Sequence, residues 1–222
     1  MSEEIEKKRL IIVDDHPIVR QGITRLINYE QELMVCGEAG SAKEAIDLIE
    51  DLMPDLVIVD ISLKGRSGLE LIKDIRMRFA DLPVLVVSMH DESLYAERVL
   101  RAGAKGFIMK QEPPEKVLDA IRQVLAGKIF VSEKMREKML QRYVLGNSQR
   151  NVSTVERLSD RELEVFRLIG KGKGTRQIAK ELDLSIKTVE TYREHIKEKL
   201  NLENSSKLLQ YAIDWVQNEN PK

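Results

Sequence analysis

The chain has 222 residues, with 36 Lys and Arg against 37 Asp and Glu, and 5% of it is aromatic. That length suits two small domains or one large one, and no apolar run approaches the roughly 18–20 residues that a bilayer span needs, so a soluble, helix-rich protein without membrane contact is expected. The opening stretch Met1 to Lys8 lacks the apolar core of a signal peptide, and the single Cys36 excludes an internal disulfide, which together lead us to expect a cytoplasmic, reducing location.

In chain order, Leu10-Ile11-Ile12-Val13 is a short apolar run, read as a buried strand, that ends in Asp14-Asp15. Ile18, Ile23, Leu26 and Ile27 then recur at helical spacing from Pro17 to Asn28, with Pro17 tolerated in the first turn. Leu33 to Gly37 is a second strand, in whose interior Cys36 is expected as a packing residue. Ser41 caps the next helix, and Glu44 three residues on suggests a capping box. Pro54 stops that helix. Leu56 to Val59 is the third strand and delivers Asp60; a helix over 68–79 follows. Pro83 to Ser88 is the fourth strand and Gly106 to Lys110 the fifth, with helices near 92–102 and from Pro114 to Ala126. Apolar strands alternating with helices of this length predict parallel βαβ units and a five-stranded doubly wound, flavodoxin-like sheet over residues 8–126.

That architecture would bring Asp14, Asp15, Asp60, Ser88 and Lys110 to one sheet edge, where open α/β sheets bind ligands. Three converging carboxylates repel unless a cation neutralises them, and an oxygen-only donor set favours Mg²⁺ over zinc. A lysine and a hydroxyl beside them suit an incoming phosphoryl group, which a carboxylate oxygen could attack and hold as an acyl phosphate.

On Val13-Asp14-Asp15-His16-Pro17, Val59-Asp60 with Gly65 and Gly68, Val87-Ser88-Met89-His90-Asp91 and Gly103 to Lys110, the first half resembles the receiver domain of a bacterial two-component response regulator. The resemblance implies that Asp60 accepts a phosphoryl group from a sensor histidine kinase. It implies that Asp14, Asp15, Asp60 and the Ser62 carbonyl hold Mg²⁺, that Lys110 and Ser88 bind the phosphoryl oxygens, and that Phe107 is the aromatic that follows the Ser88 swing. For Phe107, simple core packing stays open. Lys64 and Gln111 stand where the family commonly has proline, and a cis bond before Gln111 would cost roughly 2.5–4 kcal/mol. His90 either influences how water reaches the phosphoryl group or is an ordinary surface histidine.

Residues 127–157 read as a linker with a helix over 133–145, followed by the polar, turn-rich stretch 146–154. Residues 1–130 hold 18 basic and 23 acidic side chains, and residues 131–222 hold 18 and 14, so an acidic half precedes a mildly basic one, as suits a regulatory domain beside a polyanion binder.

The remainder, 158–218, reads as all-α. Ser159 with Glu162 predicts a capping box, Val165, Phe166, Leu168 and Ile169 a buried face, and Thr175–Leu182 a second helix. The short turn Asp183-Leu184 and a third helix, Ile186 to Leu200, form a helix-turn-helix. Leu158 to Glu162, Gln177-Ile178-Ala179, Leu184 to Glu190 and Ile196 to Leu200 resemble the four-helix LuxR-type domain of NarL/FixJ regulators. By that resemblance Glu190, Thr191 and Glu194 face bases of double-stranded DNA, while Lys187, Thr188, Arg193 and Lys197 face phosphates, and Tyr192 replaces a common histidine. It implies a homodimer when phosphorylated, control of transcription and contact with RNA polymerase, but no enzyme beyond phosphoryl acceptance and slow self-dephosphorylation. The last helix, 205–217, carries two apolar stripes: Leu208, Ala212 and Trp215, and beside it Leu209, Ile213 and Val216, which is either a candidate dimer surface or wider core packing. Two other classes fit parts of the sequence. A haloacid-dehalogenase-type phosphatase also uses a strand-end aspartate, but wants a second one where Ser62 stands. A protein-binding helical module would tolerate the acidic recognition face.

Overall fold

The parallel sheet is built from Lys8–Val13 (β1), Leu33–Ala39 (β2), Leu56–Val59 (β3), Val84–Ser88 (β4) and Gly106–Met109 (β5), ordered β2-β1-β3-β4-β5 in a computed structural model that describes residues 6–63, 65–144 and 154–219. Between them run Pro17–Asn28 (α1), Ala42–Leu52 (α2), Gly68–Arg78 (α3) and Glu92–Ala102 (α4), with Pro114–Leu125 (α5) and Glu133–Val144 (α6) after β5. The strand order reverses between β1 and β3, so the crevice opens at their carboxyl ends. Leu10, Ile12, Leu56, Ile58, Leu85, Val87 and Ile108 share a core with Ile27 of α1 and Val117, Ile121 and Val124 of α5. Ile11 and Val13 alternate to the other face and are equally buried. Full burial of each such side chain is worth about 1.5–3 kcal/mol. The register of β1 against β2 slips at Leu10/Ile11, which pair with Val35 and Gly37. Cys36 is therefore the extra residue of a bulge, half-buried, with its thiol directed to the Leu10 carbonyl at 3.4 Å.

Local signals mostly act as the sequence suggests. Pro17 and Pro114 open α1 and α5. The box expected at α2 is half formed: Ser41 Oγ accepts from Glu44 N, but the Glu44 carboxylate reaches back to Gly40 N at 2.7 Å rather than to Ser41. The chain divides into two compact units, Met1–Val144 and Leu145–Lys222. The helix expected within a linker, α6, lies in the first unit, with Met135 buried. Lys64 and 145–153, which hold most of the polar linker stretch, lie outside the described residues.

In the second unit a 3-10 turn at Thr154–Arg157 precedes Asp160–Gly170 (α7), Thr175–Glu181 (α8), Ile186–Leu200 (α9) and Ser205–Glu219 (α10). Val155, which the sequence reading left in the linker, is buried in this unit's core. Gly170 is where α7 and α10 meet: a Cβ there would lie 2.4 Å from the Ala212 carbonyl and 2.5 Å from Val216 Cγ2. Gly170→Ala is therefore expected to cost this unit about 1–3 kcal/mol. Trp215, the single tryptophan, packs at a tilt against Phe166 with ring centroids 5.4 Å apart, so its fluorescence in a denaturant titration reads that loss directly. Val216 being used here, the second stripe of α10 retains only Leu209, exposed, and Ile213, half-buried.

The capping box of α7 is complete, and it extends further than the sequence suggests. Glu162 is buried, accepts from Ser159 N at 2.7 Å, and holds Lys199 Nζ of α9 at 2.6 Å. Burial alone would raise its pKa, but Lys199 and the Ser159 donors outweigh it and bring it below the ordinary glutamate value. Its contribution to stability is thus fully present above the unfolded value of about 4.3, and is lost as pH falls through the lower folded value. The Trp215-monitored stability should fall on acidification across that window, and Glu162→Gln should flatten the dependence.

Candidate phosphoryl and metal site

Backbone hydrogen bonding carries the chemistry to the sheet edge. Asp60 N donates to Val13 O at 2.9 Å and Lys110 N to Ser88 O at 2.8 Å, so each ladder continues one step past its strand and sets the functional side chains side by side. Asp14, Asp60 and Ser88 are almost wholly buried, as is the Lys110 side chain. The two oxygens of Asp60 are gripped separately: Ser88 Oγ donates to Oδ1 at 2.7 Å and Lys110 Nζ to Oδ2 at 2.8 Å. Lys110 Nζ also lies 2.6 Å from Asp14 Oδ2, a charge contact lacking hydrogen-bond alignment. Burial pushes the Asp60 carboxyl above the usual aspartate range, with Lys110 and Ser88 pulling the other way and Asp14 adding to the rise. For Lys110, burial opposes the charge, yet Asp60 and Asp14 together raise its pKa, so it is a fixed cation.

One oxygen each from Asp14, Asp15 and Asp60, with a His16 nitrogen, lie within 4.8 Å of one another. Asp14 Oδ2 and Asp15 Oδ1 accept no hydrogen bond. Carboxylate oxygens converging in this way fit a hard divalent cation. His16 was not singled out by the sequence reading. Its Nδ1 is 2.7 Å from Asp15 Oδ1 and 3.2 Å from Asp14 Oδ1, and its position directly after the Asp pair was the available signal. Arg20 Nη1 was also missed; it donates to the Asp14 carbonyl at 2.6 Å and steadies the loop.

Around this centre, Phe107 is fully buried in β5. The reading of His90 as an ordinary surface histidine is corrected: the residue is buried, its Nε2 is 2.8 Å from Ser62 Oγ, and its ring packs on Tyr95 at 4.5 Å. Nothing in a single sequence distinguishes a loop histidine that folds inward from one that does not. The chain after Asp60 is crowded, since a Cβ at Gly68 would stand 2.1 Å from the Asp60 carbonyl. Every peptide bond among the described residues is trans, that before Gln111 included.

In the second unit, Ser185 caps α9 by accepting from Thr188 N at 3.0 Å. Val189, Ile196 and Leu200 turn inward. Lys187, Glu190, Thr191 and Glu194 are exposed, and Thr188, Tyr192, Arg193 and Lys197 are partly so. Lys197, expected on phosphates, pairs with Glu194 at 2.8 Å, so part of the acidity of this face is neutralised from within. No helix among the described residues is long and apolar enough to cross a membrane.

Comparison with known proteins agrees with both halves. Residues 10–122 match the model of the response regulator receiver domain, and residues 156–212 that of the bacterial regulatory proteins of the luxR family. The chain is 37% identical over 209 residues to the oxygen regulatory protein NreC of Staphylococcus carnosus (strain TM300), covering 92% of this chain and 96% of that one. It is 36% identical, with the same coverage, to NreC of Staphylococcus aureus (strain USA300). Among solved structures it is similar to RcsB from Salmonella enterica serovar Typhimurium bound to promoter rprA in the presence of phosphomimetic BeF3-, with a TM-score of 0.67, 29% identity, and 94% and 99% of the two chains covered. A LuxR-family two-component response regulator from Aurantimonas sp. SI85-9A1 aligns with a TM-score of 0.59 and 34% identity over 63% of this chain and 99% of that one.

Proposed function

This chain belongs to the response regulators that join a receiver domain to a LuxR-type DNA-binding domain, and on that premise we propose that phosphorylation of Asp60 by a sensor histidine kinase controls its dimerisation and its binding to double-stranded DNA. The carrying observation is the separate grip on the two Asp60 oxygens by Ser88 and Lys110. In the transfer, an Asp60 oxygen forms a bond to phosphorus while the phosphorus–nitrogen bond of a phosphohistidine breaks and the imidazole leaves. Lys110 stays charged throughout and holds the phosphoryl oxygens. Ser88 leaves Asp60 to donate to one of them, and Phe107 follows into the space vacated. Asp14, Asp15, Asp60 and the Ser62 carbonyl would hold Mg²⁺, which supplies positive charge to the phosphoryl oxygens. No external substrate is turned over, and the acyl phosphate is lost slowly to water. A DNA-binding role supports a cytoplasmic location.

The DNA face is α9, with Glu190, Thr191 and Glu194 toward bases and Lys187, Thr188, Tyr192, Arg193 and Lys197 toward the backbone. Residues 159–222 carry 12 basic against 11 acidic side chains, so non-specific attraction to phosphates is small. A lone module should therefore bind weakly, and pairing on two half-sites should supply the affinity. Equal affinity of monomeric and dimeric forms in a gel shift would contradict this.

The test is incubation of the full chain with Mg²⁺ and acetyl phosphate, followed by peptide mapping and random-site DNA selection. Phosphoryl on Asp60 and enrichment of a palindromic site are expected. Labelling at another residue, or steady turnover of a phosphomonoester, overturns the reading.

A further inference from the structure

The Asp14 carboxylate reaches the site from a loop whose backbone is restrained from three directions. Asp14 N donates to Ala39 O of β2 at 3.1 Å, and His16 N donates to Asp14 Oδ1 at 2.8 Å, which leaves Oδ2 toward Lys110. The third restraint comes from α1. Arg20 Nη1 donates to the Asp14 carbonyl at 2.6 Å, and its Nε donates to Glu38 Oε2 at 3.2 Å. The other Glu38 oxygen accepts from Thr24 Oγ1 at 2.8 Å. Arg20 and Thr24 are four residues apart and so share one face of α1. Glu38 stands on β2, paired with Ile12 of β1. A run of polar contacts thus leads from the sheet through α1 to the backbone of the loop.

The point of attachment matters. A carbonyl belongs to a planar peptide unit, so fixing the Asp14 oxygen also fixes the Asp15 nitrogen. Rotation of that one plane would re-aim both carboxylates, because each side chain leaves the backbone at one end of it. The start of α1 does little to prevent such a rotation, since His16 at its N-cap makes no side-chain cap bond. The reach of Arg20 back from the first turn supplies the tie between helix and loop.

We propose that Arg20 is a positioning residue for the metal: by pinning the Asp14–Asp15 peptide it holds both carboxylates in the arrangement that binds Mg²⁺, and Glu38 and Thr24 keep its guanidinium in place. The inference rests on the reading that these carboxylates hold Mg²⁺. It adds a residue that acts on the metal through a backbone carbonyl.

The charge of Arg20 gives the proposal a sign. A nearby cation repels Mg²⁺, so by charge alone its removal should tighten metal binding. Loss of a group that orients a ligand instead weakens binding, ordinarily by about 10–100-fold. Arg20→Gln removes both the charge and the fork. Arg20→Lys keeps the charge, but one ammonium cannot span the carbonyl and Glu38 as a planar guanidinium does.

Mg²⁺ titration of the full chain, followed through the amide resonances of residues 14–16 and 60–62 with no phosphoryl donor present, tests it. Arg20→Gln is expected to weaken Mg²⁺ at least about tenfold, and Arg20→Lys to act in the same direction. Glu38→Gln should also weaken it, yet add nothing in the Arg20→Gln background, where by charge alone its effect would persist. Melting curves without Mg²⁺ accompany each titration. A variant that melts lower but binds Mg²⁺ as the parent does shows a structural role alone and overturns the proposal. Tighter binding by Arg20→Gln overturns it as well, and should that variant not fold, unchanged binding by Arg20→Lys does the same. A parent chain with no saturable response to Mg²⁺ overturns the metal reading and this inference with it, a failure distinct from the others because the variants play no part in it.

Discussion

Asp60→Asn takes up no phosphoryl group from acetyl phosphate and Mg²⁺, and in metal-free buffer at neutral pH it melts higher than the parent chain. The first result follows from the chemistry, because an amide oxygen is too weak a nucleophile to displace the donor. The second follows from the site. Asp14, Asp15 and Asp60 crowd one strand edge against the Lys110 cation, and burial has already raised the Asp60 carboxyl. A buried acid whose folded pKa lies above its unfolded value costs stability once the pH exceeds both, and that cost disappears below the unfolded value of about 3.9. Asparagine keeps the shape and the acceptor for Ser88 while removing the charge. The gain should be on the order of 1 kcal/mol, a rise of about 2–4 °C in the melting of a domain of this size. Scanning calorimetry at neutral and at acid pH checks the sign, since the advantage must shrink as the solution is acidified. A variant less stable than the parent at neutral pH contradicts it.

Lys110→Met produces the opposite and larger change. Removing the cation leaves Asp14 and Asp60, both nearly inaccessible to water, without their counter-charge. Breaking a buried pair on one side costs about 3–5 kcal/mol, because the remaining charge stays desolvated. Part of that loss should return when Mg²⁺ is added, since an ion that binds only the folded site stabilises it by mass action. Part should also return on acidification, as the carboxylates take up protons. Melting curves with and without Mg²⁺ at two pH values separate these contributions, and a metal-free variant as stable as the parent at neutral pH overturns the assignment.

The placement of the candidate site residues was readable because each stands at the end of a short apolar run, where the chain order of strands alone sets which edge it reaches. The same holds for caps, such as Ser159 with Glu162, whose partners lie within one turn. Legibility failed where a partner is distant in sequence. Glu92 and Ser132 are 40 residues apart, and α6 therefore reads as a linker helix although it docks on α4. His90 reads equally well as surface or interior, because only the approach of Ser62 and Tyr95 encloses it. Glu162 looks like a cap and no more until α9 delivers Lys199 to it from 37 residues away.

What the sequence determined by itself is the alternation of strand and helix, the sheet's carboxyl edge as the candidate site, and the residue types gathered there, because hydrophobic period and chain order are local quantities. The tertiary structure alone decided how those residues share charge. Burial, Lys110 and Ser88 act on Asp60 together, so that the carboxylate proposed as the nucleophile is held above the ordinary aspartate range, and such balances depend on distances between segments that no local pattern records.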